Sequence, residues 1–194
     1  MIEFIKGEVE SLTPTSVVLE NQGIGYFVNI SLNTYSEIQS LKVCKLYVYE
    51  AIREDAIILF GFLKTEERSI FLQLIGVSGV GANTARMILS SLSVDEFRQC
   101  IASENVDLLK SVKGIGLKTA QRILVDLKDK ILKSDTLSSG TTAMKGDLVR
   151  SEALAALQML GFASSISQKA VSKILSETPG MPVEQVVKAA LKML

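Results

Sequence analysis

The chain contains no histidine. Its absence excludes Ser-His-Asp and Cys-His catalysis, along with every metal site that relies on imidazole. Cysteine is scarce: Cys44 and Cys100 stand far apart with no partner pattern, so neither a disulfide framework nor a zinc site is expected. Long apolar runs are missing too. Nothing approaches the roughly 20 residues that cross a bilayer. The start, Met1-Ile2-Glu3-Phe4-Ile5-Lys6, alternates like a strand and lacks the basic region and cleavage site of a signal peptide. A cytoplasmic protein is expected. Magnesium held by carboxylates is the one metal chemistry the composition leaves open, and the expectation is a protein without metal or cofactor.

An excess of either charge is also absent, with 21 basic and 21 acidic side chains. A nucleic-acid binder is ordinarily basic. The zero sum conceals a gradient. Residues 1–63 carry four Lys/Arg against eight Asp/Glu, residues 64–135 carry 11 against nine, and the remainder six against four. An acidic first segment therefore precedes two mildly basic ones. At 194 residues, 47% hydrophobic and 22% charged, the chain is globular and long enough for one ordinary domain or two or three small ones.

Residues 1–62 read as β structure. Runs at Phe4–Leu12, Ser16–Glu20, Tyr26–Ile30, Lys45–Ile52 and Ala56–Phe62 are punctuated by Thr13-Pro14 and Asn21-Gln22-Gly23. Five short alternating strands in about 60 residues fit a small OB-type barrel. Arg53-Glu54-Asp55 lies between the last two and is expected at a hairpin tip. From Lys64 the apolar period becomes helical. Glu66 and Glu67 suit a helix start, Ile70, Phe71, Leu74 and Ile75 form a stripe, and Ser93 before Val94-Asp95-Glu96 reads as a cap. Residues 134–146 are small and polar, as a flexible tether would be. Residues 147–194 read as three helices. Leu148–Leu160 ends at Gly161, Ser167–Leu175 ends before Pro179-Gly180, and Pro182–Leu194 follows. A tethered unit so small suits docking better than catalysis.

A duplication carries the functional argument. Leu74–Leu92 realigns on Leu109–Leu127 at an offset of 35 residues without a gap, and nine of the 19 positions are identical. Each copy sets apolar-x-Gly-apolar-Gly-x-x-x-Ala between two helical stretches. Gly79 and Gly81, like Gly114 and Gly116, allow backbone angles closed to other residues and permit another chain to come close. Val80 and Ile115 are expected to pin the turns to the core. Ala85 and Ala120 are expected where two helices cross closely. Because a helix starts directly after the second glycine, its unpaired N–H groups and positive dipole end face outward, which suits a phosphate. This is the pattern of the helix-hairpin-helix motif, which grips the sugar-phosphate backbone and reads no sequence. Lys113, Lys118 and Arg122 add charge near the second turn and Arg86 near the first. A grip made by amides and dipoles does not require a strongly basic protein. A dinucleotide fingerprint is excluded because Thr84 and Thr119 stand where its third glycine would be. Gly116-Leu117-Lys118-Thr119 lacks the spacing of a phosphate-binding ATP loop.

A β module ending Arg53-Glu54-Asp55-Ala56 and Phe60-Gly61-Phe62, then paired hairpins, a loose linker and a three-helix tail, resembles the RuvA family over essentially the whole chain. The order of parts is the specific signal. The resemblance implies an α+β, multidomain protein. Its parts would be an OB-fold barrel at 1–63, a tandem helix-hairpin-helix domain at 64–133, a linker at 134–146 and a UBA-like three-helix bundle at 147–194. It implies a non-catalytic subunit, a homotetramer or face-to-face octamer, that holds four-way Holliday junctions open and planar during recombination, DNA repair and the SOS response. The tail would recruit a RuvB-type hexameric ATPase, and a RuvC-type resolvase would cut the junction. DNA contacts would fall at Gly79, Val80, Gly81, Asn83, Arg86, Lys113, Gly114, Ile115, Gly116, Lys118 and Arg122. The family's acidic pin maps onto Glu54 and Asp55. Its motor contacts map onto Leu157, Leu160, Phe162 and Leu191. Asn83 is a departure, since family members often carry a lysine there; that weakens the side-chain grip of the first hairpin but not its amides.

Two other classes compete. Hairpin pairs also occur in DNA ligases, nucleases and glycosylases, and a glycosylase needs a catalytic Asp beyond the hairpin. Asp126 and Asp129 fall in that range, but Lys128 and Lys130 share their helix face, and ordinary solvation accounts for them. A pure protein adaptor would explain the tail and not the hairpins.

Overall fold

The structure, a computed structural model, describes residues 1–138 and 145–194. The chain divides into two compact units, Met1–Asp135 and Thr136–Leu194.

In the first unit, alternating apolar residues build β1 (Phe4–Thr13), β2 (Ser16–Asn21), β3 (Ile24–Ile30), β4 (Val43–Ile52) and β5 (Ile57–Phe62). Val17 and Leu19 of β2, Val28 and Ile30 of β3, and Cys44, Leu46 and Val48 of β4 are all buried. The two-residue period of a strand puts them on one face. The strands close into a barrel in the order β1-β2-β3-β5-β4. Neighbours are antiparallel except β3 and β5, which run parallel with Val28 opposite Leu59. All five expected strands are present, each end within two residues of its expected place.

One element is new: α1 (Leu32–Ile38), between β3 and β4. Ser31 caps it, its hydroxyl accepting from the Thr34 N–H at 3.0 Å. The available signal was Ser31 followed by Leu32, Tyr35 and Ile38 at three-residue spacing. Seven residues make barely two turns, too few for a helical period to stand out.

Helices α2 (Thr65–Ile75), α3 (Ala82–Ser91), α4 (Val94–Ala102), α5 (Val106–Ser111) and α6 (Leu117–Ser138) follow. The expected cap at Ser93 is a full capping box with Glu96. Phe71 of α2 is fully buried, its ring centroid 4.8 Å from that of Phe62 and 5.4 Å from those of Phe60 and Tyr49. The open end of the barrel and the helices therefore share one core. A switch from strand to helix near residue 63 changes the secondary structure without dividing the packing.

Polar bonds tighten that junction. Glu67 of α2 is buried, and its carboxylate accepts from Ser31 at 2.5 Å and Thr34 at 2.8 Å. Asn33 donates to the Leu89 and Leu92 carbonyls at 2.6 and 3.0 Å, satisfying orphan acceptors at the end of α3. The short helix thus ties the barrel to α2 and α3 together. Glu67, expected only to favour a helix start, is the centre of this tie.

The second unit consists of α7 (Lys145–Met159), α8 (Ser164–Glu177) and α9 (Val183–Leu191) around Ala153, Leu157, Val171, Ile174, Val186 and Ala190. The expected stop at Gly161 is a Schellman cap. Gly161 has φ +94°, the Phe162 N–H donates to the Leu157 carbonyl, and the Gly161 N–H donates to that of Gln158. Of the expected tether, residues 139–144 lie outside the described residues. Helix α6 runs to Ser138 and α7 begins at Lys145.

Replacing Glu67 by Ala strands two buried hydroxyls, and urea melts should report a loss of about 2–4 kcal/mol in the first unit. Burial pushes the Glu67 carboxyl above its ordinary pKa, with the two hydroxyl bonds opposing the shift. The folded state then holds the proton longer than the unfolded one. Its stabilisation is full below the unfolded pKa and is lost as pH rises through the folded one. Wild type should lose stability relative to Glu67→Gln over that range; parallel profiles would remove this account.

Candidate nucleic-acid interface

The two repeats fold into the same backbone path. In the first, the Val77, Val80 and Ala85 N–H groups donate to the carbonyls of Leu74, Val77 and Gly81. In the second, 35 residues on, Val112, Ile115 and Ala120 donate to Leu109, Val112 and Gly116. Gly79 and Gly114 both have φ +91°. Each is the left-handed third residue of a tight turn, where a side chain would be strained. Val80 and Ile115, between the glycines, are buried and anchor the turns as expected. Ala85 and Ala120 are fully buried in the shared helical core.

The second glycine of each pair corrects the expectation. Gly81 has φ −86°, and Gly116 is not among the residues of positive φ. Neither needs glycine for its angles. A Cβ at Gly81 or Gly116 would meet nothing within 4 Å. Both are exposed, and the space beside them is open. No packing within the chain requires the absence of a side chain at either position.

Gly81 is the N-cap of α3 and supplies no capping side chain. The first N–H groups of α3 therefore keep no side-chain partner from the cap, and the positive end of the helix dipole is bare. Asn83, Lys113 and Lys118 stand exposed around the two turns. Arg122 does more than add charge: its guanidinium donates to the Ser78 carbonyl at 3.4 Å, so α6 reaches across to the first turn. Sequence spacing could not reveal this link between hairpins. Arg86 is turned elsewhere. It is half-buried and donates to Thr15 of the barrel at 2.9 Å. Burial lowers its pKa, yet a guanidinium stays charged throughout the working range.

Glu54 and Asp55 occupy the tip of the β4–β5 hairpin. The Arg53 N–H donates to the Ala56 carbonyl at 2.8 Å and closes the turn. Both carboxylates are exposed, and none of the ion pairs found among the described residues involves them. Asp126 stands exposed on α6, while the Asp129 side chain lies outside the described residues. Among the described residues, no three His, Cys, Asp or Glu side chains gather as metal ligands would. Also among them, no helix is long and apolar enough to cross a membrane.

Residues 1–61 match the RuvA N-terminal domain, residues 71–129 a SAM-like helix-hairpin-helix tandem, and residues 148–194 the RuvA C-terminal domain. The chain is 57% identical to the Holliday junction branch migration complex subunit RuvA of Bacteroides thetaiotaomicron, covering all of both chains. The proteins of the same name from Azobacteroides pseudotrichonymphae and Cytophaga hutchinsonii are 51% and 42% identical, again over full lengths. The chain belongs to the RuvA family. The expected fold class stands: a five-stranded barrel, a helix-hairpin-helix tandem and a helical C-terminal unit.

In this RuvA-family chain the four residues expected to meet a motor separate into two groups. Leu157 is fully buried within its own bundle. Phe162 is half-buried against that core as part of the Gly161 cap. Leu160 and Leu191 are exposed. Met159, 90% exposed beside Leu160, was not anticipated. Two residues beyond the buried Leu157, it falls on the opposite face of the helix.

The two kinds of glycine give a clean contrast. Gly79→Val and Gly114→Val force a β-branched residue into a left-handed turn, and each should reduce DNA affinity by at least about ten-fold, with some loss of stability. Gly81→Ala and Gly116→Ala add a methyl group to open space. They should leave thermal melts unchanged while lowering affinity in a gel shift. Full affinity in both alanine variants would mean that no strand approaches these turns.

Proposed function

We propose that this chain binds four-way DNA junctions without sequence preference, as a non-catalytic subunit that recruits an ATP-driven motor. The observation that carries the reading is the pair of glycine turns with matching hydrogen bonds and φ angles, each leading into an exposed helix start. Two such cradles in one rigid unit grip phosphates at two places, and their amides carry no information about base identity. The relatives' name, Holliday junction branch migration complex subunit, supports junctions as the substrate.

Glu54 and Asp55 act on this reading as a pin. A carboxylate beside a phosphate is repelled by about 1 kcal/mol per pair in water and more at lower dielectric. Four copies about an axis, in a homotetramer or a face-to-face octamer, gather the pins at the crossover and hold the strands apart there. The acidic balance of residues 1–63 thus has a use, while the hairpins hold the backbone outside. The tail recruits a RuvB-type hexameric ATPase through Leu160 and Leu191, with Leu157 and Phe162 shaping the surface from within. A RuvC-type resolvase acts on the held junction. The chain works in the cytoplasm and needs no metal of its own.

A gel shift of a four-way junction against linear duplex of equal length tests the substrate; equal affinity, or cleavage by the chain alone, overturns the reading. Glu54→Gln with Asp55→Asn should bind junctions as tightly or more tightly but alter motor-driven migration, and migration at the wild-type rate removes the pin. For the tail, Leu160→Asp should abolish motor recruitment with junction binding intact. Leu157→Asp should instead unfold the bundle, seen as loss of the tail's melting transition.

A further inference from the structure

Two isoleucines stand directly beneath the acidic turn. Ile52 ends β4, Ile57 begins β5, and they face each other as the last registered pair of the hairpin. Ile52 is 72% exposed and Ile57 69%. The preceding pair, Ala51 and Ile58, packs against the shared core. Side chains alternate along a strand, so Ile52 and Ile57 point the other way. Neither belongs to the buried clusters of the barrel, and threonine would serve the strands with comparable β propensity and less exposed apolar surface. A protruding apolar pair on a hairpin tip offers a contact surface.

We propose that Ile52 and Ile57 form an apolar platform that packs against the exposed faces of base pairs flanking the open crossover. The inference rests on the reading that places this hairpin at the junction centre. Charge selects the occupant. Glu54 and Asp55 repel phosphates, so the part of DNA able to approach the platform is the uncharged base face. A second copy of the chain is the competing occupant, and the mass of the threonine variant in solution distinguishes it. Branched aliphatic side chains fit base faces well; isoleucine is among the wedges that unstack base steps in groove-binding proteins. The hairpin then combines two functions: carboxylates that turn the backbone away and a pair of aliphatic side chains that receive the bases so exposed.

The test uses the full chain and a four-way junction carrying 2-aminopurine either beside the crossover or midway along an arm. Wild-type protein should brighten the crossover probe and leave the arm probe unchanged. Ile52→Thr with Ile57→Thr should lose about half or more of that rise, with junction affinity changed by less than about three-fold. Ile52→Val with Ile57→Val should keep most of it, which separates an apolar contact from a disturbed hairpin. A full rise in the threonine variant overturns the proposal. So does a change in its mass in solution, which would assign the platform to contacts between copies. Glu54→Gln with Asp55→Asn separates this from the pin. If that variant alters migration while the threonine variant keeps the full rise, only the platform falls. If the threonine variant loses the rise while the neutralised pin migrates normally, the platform stands without the charge mechanism. If neither variant differs from wild type, the hairpin is not at the crossover and both readings fall.

Discussion

A helix that begins without a capping side chain leaves its first N–H groups to be satisfied from outside. At α3 this is arranged deliberately by sequence: Gly81 sits at the N-cap, where Ser, Thr, Asp or Asn would serve the helix better. The same path recurs at Gly116. Each helix start is therefore slightly less stable, its first N–H groups left without a capping side chain. The left-handed Gly79 and Gly114 hold it still by bending the chain sharply beside the buried anchors Val80 and Ile115. The turn, the anchor and the bare cap depend on one another.

Rigidity extends beyond the hairpins. Phe71 joins the barrel and the helices through Phe60, Phe62 and Tyr49, and Glu67 joins them through Ser31 and Thr34. Asn33 closes the end of α3, the helix that begins at the first cradle. The acidic hairpin and the cradles are thereby parts of one body. A buried carboxylate is a costly way to build a joint. It is tolerated because two hydroxyls satisfy it, and it gives the joint a direction that apolar packing lacks.

Charge bookkeeping also becomes intelligible at this level. A neutral total obscures a gradient in which the barrel sequence has an acidic balance and the hairpin sequence a mildly basic one. Lys113 and Lys118 stand exposed beside the second turn, whereas Arg86 is bonded to the barrel and Arg122 to the neighbouring turn. Four cations that look equivalent in sequence are thus not equivalent in the fold.

Local periodicity and turn chemistry settled much of this protein. The five strands, the duplicated hairpins, the Ser93 capping box and the Gly161 stop are all short-range features, dictated by residues a few positions apart. What depended on distant partners was hidden: the burial of Glu67 and the diversion of Arg86. Gly81 is the instructive case. Its spacing singled it out for backbone angles that it does not use; only the folded chain reveals open space beside it. The sequence by itself determined which segments turn, cap and repeat, because those choices are made by local sterics and hydrogen bonding. Tertiary structure alone decided which side chains remain available to a ligand, because availability depends on what the rest of the chain has already covered.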